Sequence, residues 1–330
     1  MRIAILGAGE MGSAHASAYA RFGTREGVEI AGVVSRKETK ARALAKRVRA
    51  PWFLDSRKVL RDDSIDAVDV TVPSGVHRGL VIEALQAGKH VFCETPMALT
   101  LSDADAMITA SRTNRRILMV AQVMRFVSNC QHTKEEVASG RLGKPRIVVA
   151  RRLSRPYWSA ARPRPFRLYG EPLLELSIHD FDLANWILGR PMSVQASGVI
   201  GPRGVAEQSY VEIEYREGHA FVEGSAMMPP GFPFTTALRV QCTDGVLDQE
   251  DRFLGGPAPT TRFLRYTKEG REPIRPRGQD PYTEECRHFI RSIAKKADPS
   301  VLSPRTDREA LRIALGAKES LRTGRRVALR

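Results

Sequence analysis

The chain has 330 residues, enough for two domains with separate cores, and its 42% hydrophobic and 27% charged content is ordinary for a soluble globular protein. No stretch approaches the roughly 18 consecutive apolar residues of a membrane helix. The opening "MRIAILGAGEMG" has neither the basic nor the long apolar region of a secretory leader. The net charge of +15 is arginine-rich and spread along almost the whole chain, which argues against a nucleic-acid partner. Four dispersed cysteines (Cys93, Cys130, Cys242, Cys286) without a CxxC pair point to a reduced, cytoplasmic setting.

The first third alternates strands and helices. "RIAILGAG" runs as an apolar strand into glycines, and "EMGSAHASAYARFG" follows as a helix. "VEIAGVVS" (strand), "ETKARALAKRV" (helix) and "IDAVDVTVP" (strand) continue the pattern. Then come "HRGLVIEALQAG" (helix), "KHVFCE" (strand), "LSDADAMITASRTN" (a helix capped by Ser102) and "RILMVAQ" (strand). Such alternation predicts βαβ units with right-handed crossovers and a doubly wound parallel sheet ending near Gln122.

Gly7, Gly9 and Gly12 form G-x-G-x-x-G between the first strand and the first helix, which is the context a dinucleotide site requires. Gly7 permits the tight turn, Gly9 lets backbone approach a pyrophosphate, and Gly12 lets helix pack on strand. The second strand ends at Ser35, Arg36 and Lys37, where an NAD-preferring site usually places a carboxylate. A hydroxyl with two cations suits a 2′-phosphate through charge-assisted hydrogen bonds, so NADP is the expected cofactor and NAD the alternative.

Beyond residue 122, "EPLLELSIHDFDLANWIL" predicts a helix beginning near Pro172, with Glu175, His179, Asp182 and Trp186 on one stripe. Upstream, "RRLSRPYWSAARPRPFR" interleaves Arg151, Arg152, Arg155, Arg162, Arg164 and Arg167 with Tyr157, Trp158 and Phe166. Arginine forks match carboxylates and phosphates, and aromatic faces suit sugar rings. Its prolines speak against a basic recognition helix. From about Ser193 to Tyr266 the chain reads as the strands of an antiparallel sheet.

Almost end to end, the chain resembles the glucose-fructose oxidoreductase/inositol dehydrogenase/rhizopine catabolism (Gfo/Idh/MocA) family. The resemblance rests on "GAGEMGSAHASAY", "TVPSGVHRGLVIEALQAGKHVFCETPMALT", "ASGRLGKP" and "ELSIHDFDLANWILGRP", in that order. It implies an NAD(P)-binding Rossmann domain over residues 1–122. It also implies a substrate-binding and oligomerisation domain over 123–330, with a large, mostly antiparallel open sheet that packs in a homodimer or homotetramer. The family mostly oxidises or reduces sugars, polyols and their derivatives by hydride transfer.

Carried over position by position, the resemblance implies cofactor contacts at Gly7, Gly9, Glu10, Met11, Gly12, Ser35, Arg36, Lys37, Thr71, Pro73, His77, Glu94 and Gln122. It implies substrate contacts at Tyr157, Trp158, Arg167 and Asp182, and catalytic roles for His179, Glu175 and Thr95; His15 reads as packing and no metal is expected. Two departures stand out. Where the family most often has Glu-Lys-Pro, this chain has Glu94-Thr95-Pro96, and threonine cannot carry the charge or exchange the proton that a lysine would. Where Asp-x-x-x-His-x-x-Asp is common, Glu175 takes the first place, ahead of a histidine expected to be poised near neutral pH. The reading is an oxidoreductase acting on a sugar-like or acidic sugar substrate. A redox-neutral, NAD(P)-using lyase or glycosidase-type enzyme and a non-catalytic nucleotide-binding protein remain the alternatives.

Overall fold

A computed structural model describes residues 1–158, 164–255 and 259–329. In chain order the first elements are β1 (Arg2–Leu6), α1 (Glu10–Glu26), β2 (Glu29–Val34), α2 (Glu38–Val48), β3 (Trp52–Phe53) and α3 (Arg57–Leu60). β4 (Ala67–Val70), α4 (His77–Gln86), β5 (His90–Glu94), α5 (Leu101–Thr113) and β6 (Leu118–Ala121) follow. Next come α6 (Ser128–Ala138), β7 (Pro145–Leu153), the short turns α7 (Phe166–Tyr169) and α8 (Pro172–Glu175), and α9 (Ile178–Leu188). Seven strands succeed them: β8 (Pro191–Ile200), β9 (Ala206–Tyr215), β10 (Gly218–Ser225), β11 (Phe234–Cys242), β12 (Gly245–Phe253), β13 (Thr260–Thr267) and β14 (Gly270–Pro273). The chain closes with α10 (Pro281–Ile293), α11 (Pro304–Thr323) and β15 (Val327–Ala328).

The chain divides into two compact units: Met1–Phe126 with Gln279–Arg308, and Val127–Gly278 with Glu309–Arg330. Against a single cut at residue 122, Gln279–Arg308 returns to the first unit. The reason is apolar: Phe289 stacks on Phe92 of β5 with ring centroids 5.1 Å apart, and Cys286 and Ile290 join Tyr19 and Phe22 of α1 in the same buried core.

The first unit's sheet has the order β3-β2-β1-β4-β5-β6, and every pairing in it is parallel. β1, β4 and β6 are almost wholly buried apolar runs, as strands covered on both faces must be. One cap differs from expectation. Thr100, not Ser102, caps α5, because Thr100 Oγ1 accepts from Asp103 N at 3.1 Å and returns its own proton to that carboxylate.

The second unit's sheet runs β14-β13-β12-β11-β7-β10-β9-β8-β15, antiparallel throughout except where β10 lies parallel to β7. Burial alternates along β9 and β11, giving one covered and one open face. α9 packs on β7 and β10, burying Ile178, Phe181 and Ala184. On the open face Tyr210 and Phe221 are exposed beside a groove of about 660 Å³ that Arg151, Arg239 and Arg262 also line.

Candidate functional site

The glycine turn leaves β1 at the point where the strand order reverses between β1 and β4, the place where open α/β sheets bind ligands. Gly7 has φ +129°, a conformation that a side chain rarely adopts. A Cβ on Gly12 would lie 2.0 Å from the Gly7 carbonyl oxygen and 2.8 Å from Thr71 Oγ1, so α1 rests directly on the turn. Thr71, just past β4, donates to the Gly7 carbonyl at 3.1 Å and locks the turn from the neighbouring strand. A Cβ on Gly9 would meet nothing within 4 Å, and α1 has no side-chain cap there. Its first N–H groups, at Glu10, Met11 and Gly12, therefore suit an anion, and the turn fits a pyrophosphate.

At the end of β2 the Ser35 hydroxyl accepts from Lys37 N at 3.2 Å, and Arg36 and Lys37 are exposed. Pro73 follows β4 and is half-buried. His77 is fully buried: Nε2 lies 2.7 Å from the Val72 carbonyl oxygen and Nδ1 3.2 Å from that of Met97. Burial lowers its pKa, and the neutral ring, with a single N–H, donates to only one of these two carbonyls.

Thr95 begins that second loop and precedes a cis Pro96. Its backbone N–H donates to Glu94 Oε2 at 3.0 Å, and its hydroxyl donates to Asp307 Oδ1 at 2.7 Å. Buried Asp307 also accepts from Met97 N at 3.0 Å and from Gln122 Nε2 at 2.8 Å. Glu94 and Gln122, expected at the cofactor, thus also build the loop's framework. Asp307 was missed by sequence reading; the only signal was an acid in the first turn of α11, 212 residues from Thr95. On its other side Glu94 Oε1 meets His15 Nε2 at 3.1 Å, while His15 Nδ1 meets Asp69 Oδ2 at 2.9 Å.

In the second unit the expected single helix is two. α8 stops at Glu175, Ser177 N reaches back to the Pro172 carbonyl at 3.2 Å, and α9 starts at Ile178. The break lies where Ser177 is buried against Gly224 of β10, whose missing side chain makes room for the Ser177 hydroxyl. Glu175 and His179 therefore do not share one continuous helical stripe. Asp182 is fully buried, and burial first, then the Asp182 charge, raise the pKa of neighbouring Tyr215.

The ionic anchor of α9 is Asp180, which sequence reading passed over. It forms a buried two-point pair with Arg152 of β7, both contacts at 2.9 Å. Burial first, and then the Arg152 cation, lower His179 to about 3. The histidine is thus neutral across the physiological range, not poised near its middle.

Glu175 is the group that titrates there instead. Burial raises its carboxyl to about 7, against the opposing pull of Arg164, whose Nη2 donates to Glu175 Oε1 at 2.7 Å. Tyr157 stands beside Glu175 and packs edge-on to Trp158 at 4.7 Å. Trp158 packs edge-on to Phe166 at 5.5 Å, and Arg167 is exposed on α7. Arg162 lies outside the described residues.

The first unit's strand order, with a glycine turn at its reversal point, defines a dinucleotide-binding Rossmann domain. Residues 1–122 match the model of the oxidoreductase family with an NAD-binding Rossmann fold, and residues 130–248 match that of the GFO/IDH/MocA C-terminal domain. The chain belongs to the Gfo/Idh/MocA oxidoreductase family. It is 29% identical to a myo-inositol 2-dehydrogenase of Thermotoga maritima, over 100% of this chain and 98% of that protein. It is 33% identical to a D-glucoside 3-dehydrogenase of Escherichia coli, over 58% of this chain and 55% of that one. The fold is shared with an oxidoreductase from Agrobacterium radiobacter solved in complex with NAD+, L-tartaric acid and magnesium. There the TM-score is 0.83 at 20% identity, with 100% of this chain and 98% of that chain covered.

Proposed function

We propose that this protein is an NADP-preferring dehydrogenase or reductase acting on a CH–OH group of a sugar-like or polyol substrate. The observation that carries the reading is the built glycine turn at the reversal point of the first unit's parallel sheet, in a chain of the Gfo/Idh/MocA oxidoreductase family. Relatives named as inositol and glucoside dehydrogenases support the substrate class. When bound, the nicotinamide would accept the hydride in oxidation or supply it in reduction.

The chain's own residues manage the proton and the geometry. Glu175, poised between its two forms at neutral pH, takes the hydroxyl proton on a carboxylate oxygen or returns it. His179, held neutral, orients the reacting oxygen through its ring nitrogens. Thr95 already donates its hydroxyl proton to Asp307, so it serves by holding the loop's shape and not by transferring a proton. Ser35, Arg36 and Lys37, with no carboxylate among them, support NADP over NAD. The exposed Tyr210 and Phe221 on the open sheet support a homodimer or homotetramer, which light scattering tests directly. No observation favours the redox-neutral or the non-catalytic alternative.

The test follows nicotinamide reduction by purified protein with NADP+ and then with NAD+, across neutral, acidic and phosphorylated sugars and polyols. Steady reduction with at least one compound is expected, faster with NADP+. Silence across the panel, with nucleotide binding confirmed, would sink the reading.

A further inference from the structure

His15 stands on α1 one turn beyond Gly12 and is fully buried against the first unit's sheet. Its Nδ1 lies 2.9 Å from Oδ2 of Asp69 in β4, and its Nε2 lies 3.1 Å from Oε1 of Glu94, the last residue of β5. The ring stacks on Phe92 with centroids 5.5 Å apart, and Tyr282 of α10 stands beside it at 6.3 Å. A carboxylate at each nitrogen and an aromatic ring on its face fix its orientation.

Glu94 divides its two oxygens. Oε1 meets His15, and Oε2 accepts from Thr95 N at 3.0 Å. His15 is the one cation paired with Glu94 among the described residues. A short path thus runs from the helix seated on the glycine turn, through one ring and one carboxylate, to the first amide of the loop that carries cis Pro96. Thr95 is held at two points, its amide by Glu94 and its hydroxyl by Asp307, while Met97 N is held by Asp307.

Packing alone does not call for these charges. Asp69 interrupts the buried apolar run of β4. Buried Glu285, 3.7 Å from the same ring, has no hydrogen-bond donor on either oxygen among the described residues. Apolar side chains of similar volume often fill such a space with equal or greater stability. A buried polar network that stability does not require selects one arrangement over others, and the arrangement selected here is that of the loop.

We propose that His15 is a positioning residue: through Glu94 it holds the loop after β5 in place against the glycine turn, so that a nucleotide bound at the turn meets the loop in one geometry. The inference rests on the dehydrogenase reading for its catalytic consequence. Fully buried, His15 acts on the reaction only through Glu94.

Two variants of the full chain separate this role from packing. A glutamine amide reaches about as far as Nε2 and still donates to Glu94, whereas an asparagine amide reaches about as far as Nδ1 and keeps only Asp69. Both lose the ring's charge, so His15→Gln and His15→Asn should be destabilised alike in urea unfolding. Amide exchange, read by NMR without nucleotide, should tell them apart. In His15→Asn, Thr95 should exchange about tenfold faster, as loss of one charge-assisted contact implies, with Met97 unchanged. His15→Gln should restore part of the protection. With NADP+ and the sugar or polyol that turns over, kcat should fall about a hundredfold in His15→Asn and less in His15→Gln, with KM and NADPH affinity within about twofold of wild type, as a small misplacement of reacting groups implies.

Should His15→Asn fail to fold, Glu94→Asp decides, because its shorter chain cannot reach His15 and Thr95 N together; unchanged Thr95 exchange there would overturn the proposal. Equal exchange and equal kcat in the two His15 variants, or faster exchange at Thr95 and Met97 together, would overturn it as well. Loosening confined to Thr95, without nicotinamide reduction by any sugar or polyol, would sink the dehydrogenase reading and leave the hold of His15 on the loop standing. Turnover with kcat unchanged in His15→Asn would do the reverse.

Discussion

The hydroxyl of Thr95 donates to Asp307 at 2.7 Å, joining the loop after β5 to the start of α11 across 212 residues of sequence. Asp307 also accepts from Met97 N and Gln122 Nε2, so one buried carboxylate gathers three donors from two strand ends. Thr95→Val removes one donor without changing the side chain's shape and should cost about 1–3 kcal/mol in urea unfolding. Asp307→Ala strands all three buried donors and should cost more. A smaller loss for Asp307→Ala than for Thr95→Val would show that Asp307 does not organise this loop.

Thr95→Lys places a cation beside the Asp307 carboxylate, so the variant should remain folded. A lysine there would add the positioned proton-transfer group that Thr95 cannot supply, so kcat should rise about a hundredfold, the low end of the usual gain. An unchanged kcat would remove position 95 from the reaction.

Gly9 and Gly12 make opposite predictions. A Cβ at position 9 meets nothing, whereas one at position 12 runs into the Gly7 carbonyl. Gly12→Ala should therefore destabilise the fold by about 1–3 kcal/mol or more, as overpacking does. Gly9→Ala should leave Tm nearly unchanged and weaken NADPH binding, read by fluorescence titration. Equal NADPH affinity in Gly9→Ala and wild type would move the pyrophosphate away from this turn.

Arg36→Asp replaces a cation with the carboxylate that repels a 2′-phosphate. Loss of one charge-assisted bond, about 1.5–3 kcal/mol, should weaken NADP+ binding by about ten- to a hundredfold and leave NAD+ binding unchanged or improved. Parallel loss of both nucleotides would count against Arg36 as the discriminator.

Two pH dependences follow from burial. Oxidation should rise with pH through about 7, as Glu175 becomes the carboxylate that accepts a proton, and Glu175→Gln should abolish this limb. His179 at about 3 adds no limb between pH 5 and 9. A limb near pH 7 that survives in Glu175→Gln would assign it to another group.

Stability has the opposite slope. Burial lowers the His15 pKa, but Asp69 and Glu94 outweigh it and hold the ring protonated well above 6.5. Buried Glu285, 3.7 Å from the same ring, is likewise raised, by burial foremost. For His15 the folded pKa exceeds the unfolded one. Its contribution is thus complete below about pH 6.5 and is lost as pH rises through the folded value. Urea midpoints should fall as the solution is made alkaline. His15→Gln should flatten that fall and cost about 3–5 kcal/mol, since buried carboxylates lose their cation. An identical alkaline slope in the variant would place the titrating group elsewhere.

The Rossmann domain and its glycine turn were legible locally, in strand and helix periodicity and in glycines whose spacing follows from one turn's geometry. The large open sheet and the candidate roles of Glu175 and His179 were legible through motifs shared with the family. Only the tertiary structure decided that Asp307 holds Thr95, that Phe289 returns α10 to the first core, and that Asp180 anchors α9. It also decided that Ser177 breaks the expected helix against Gly224, and that Glu175 titrates near neutrality where His179 does not. Each of these depends on what a residue distant in sequence brings alongside, because burial, ion pairing and the pKa values they set belong to the packed environment and not to the local sequence.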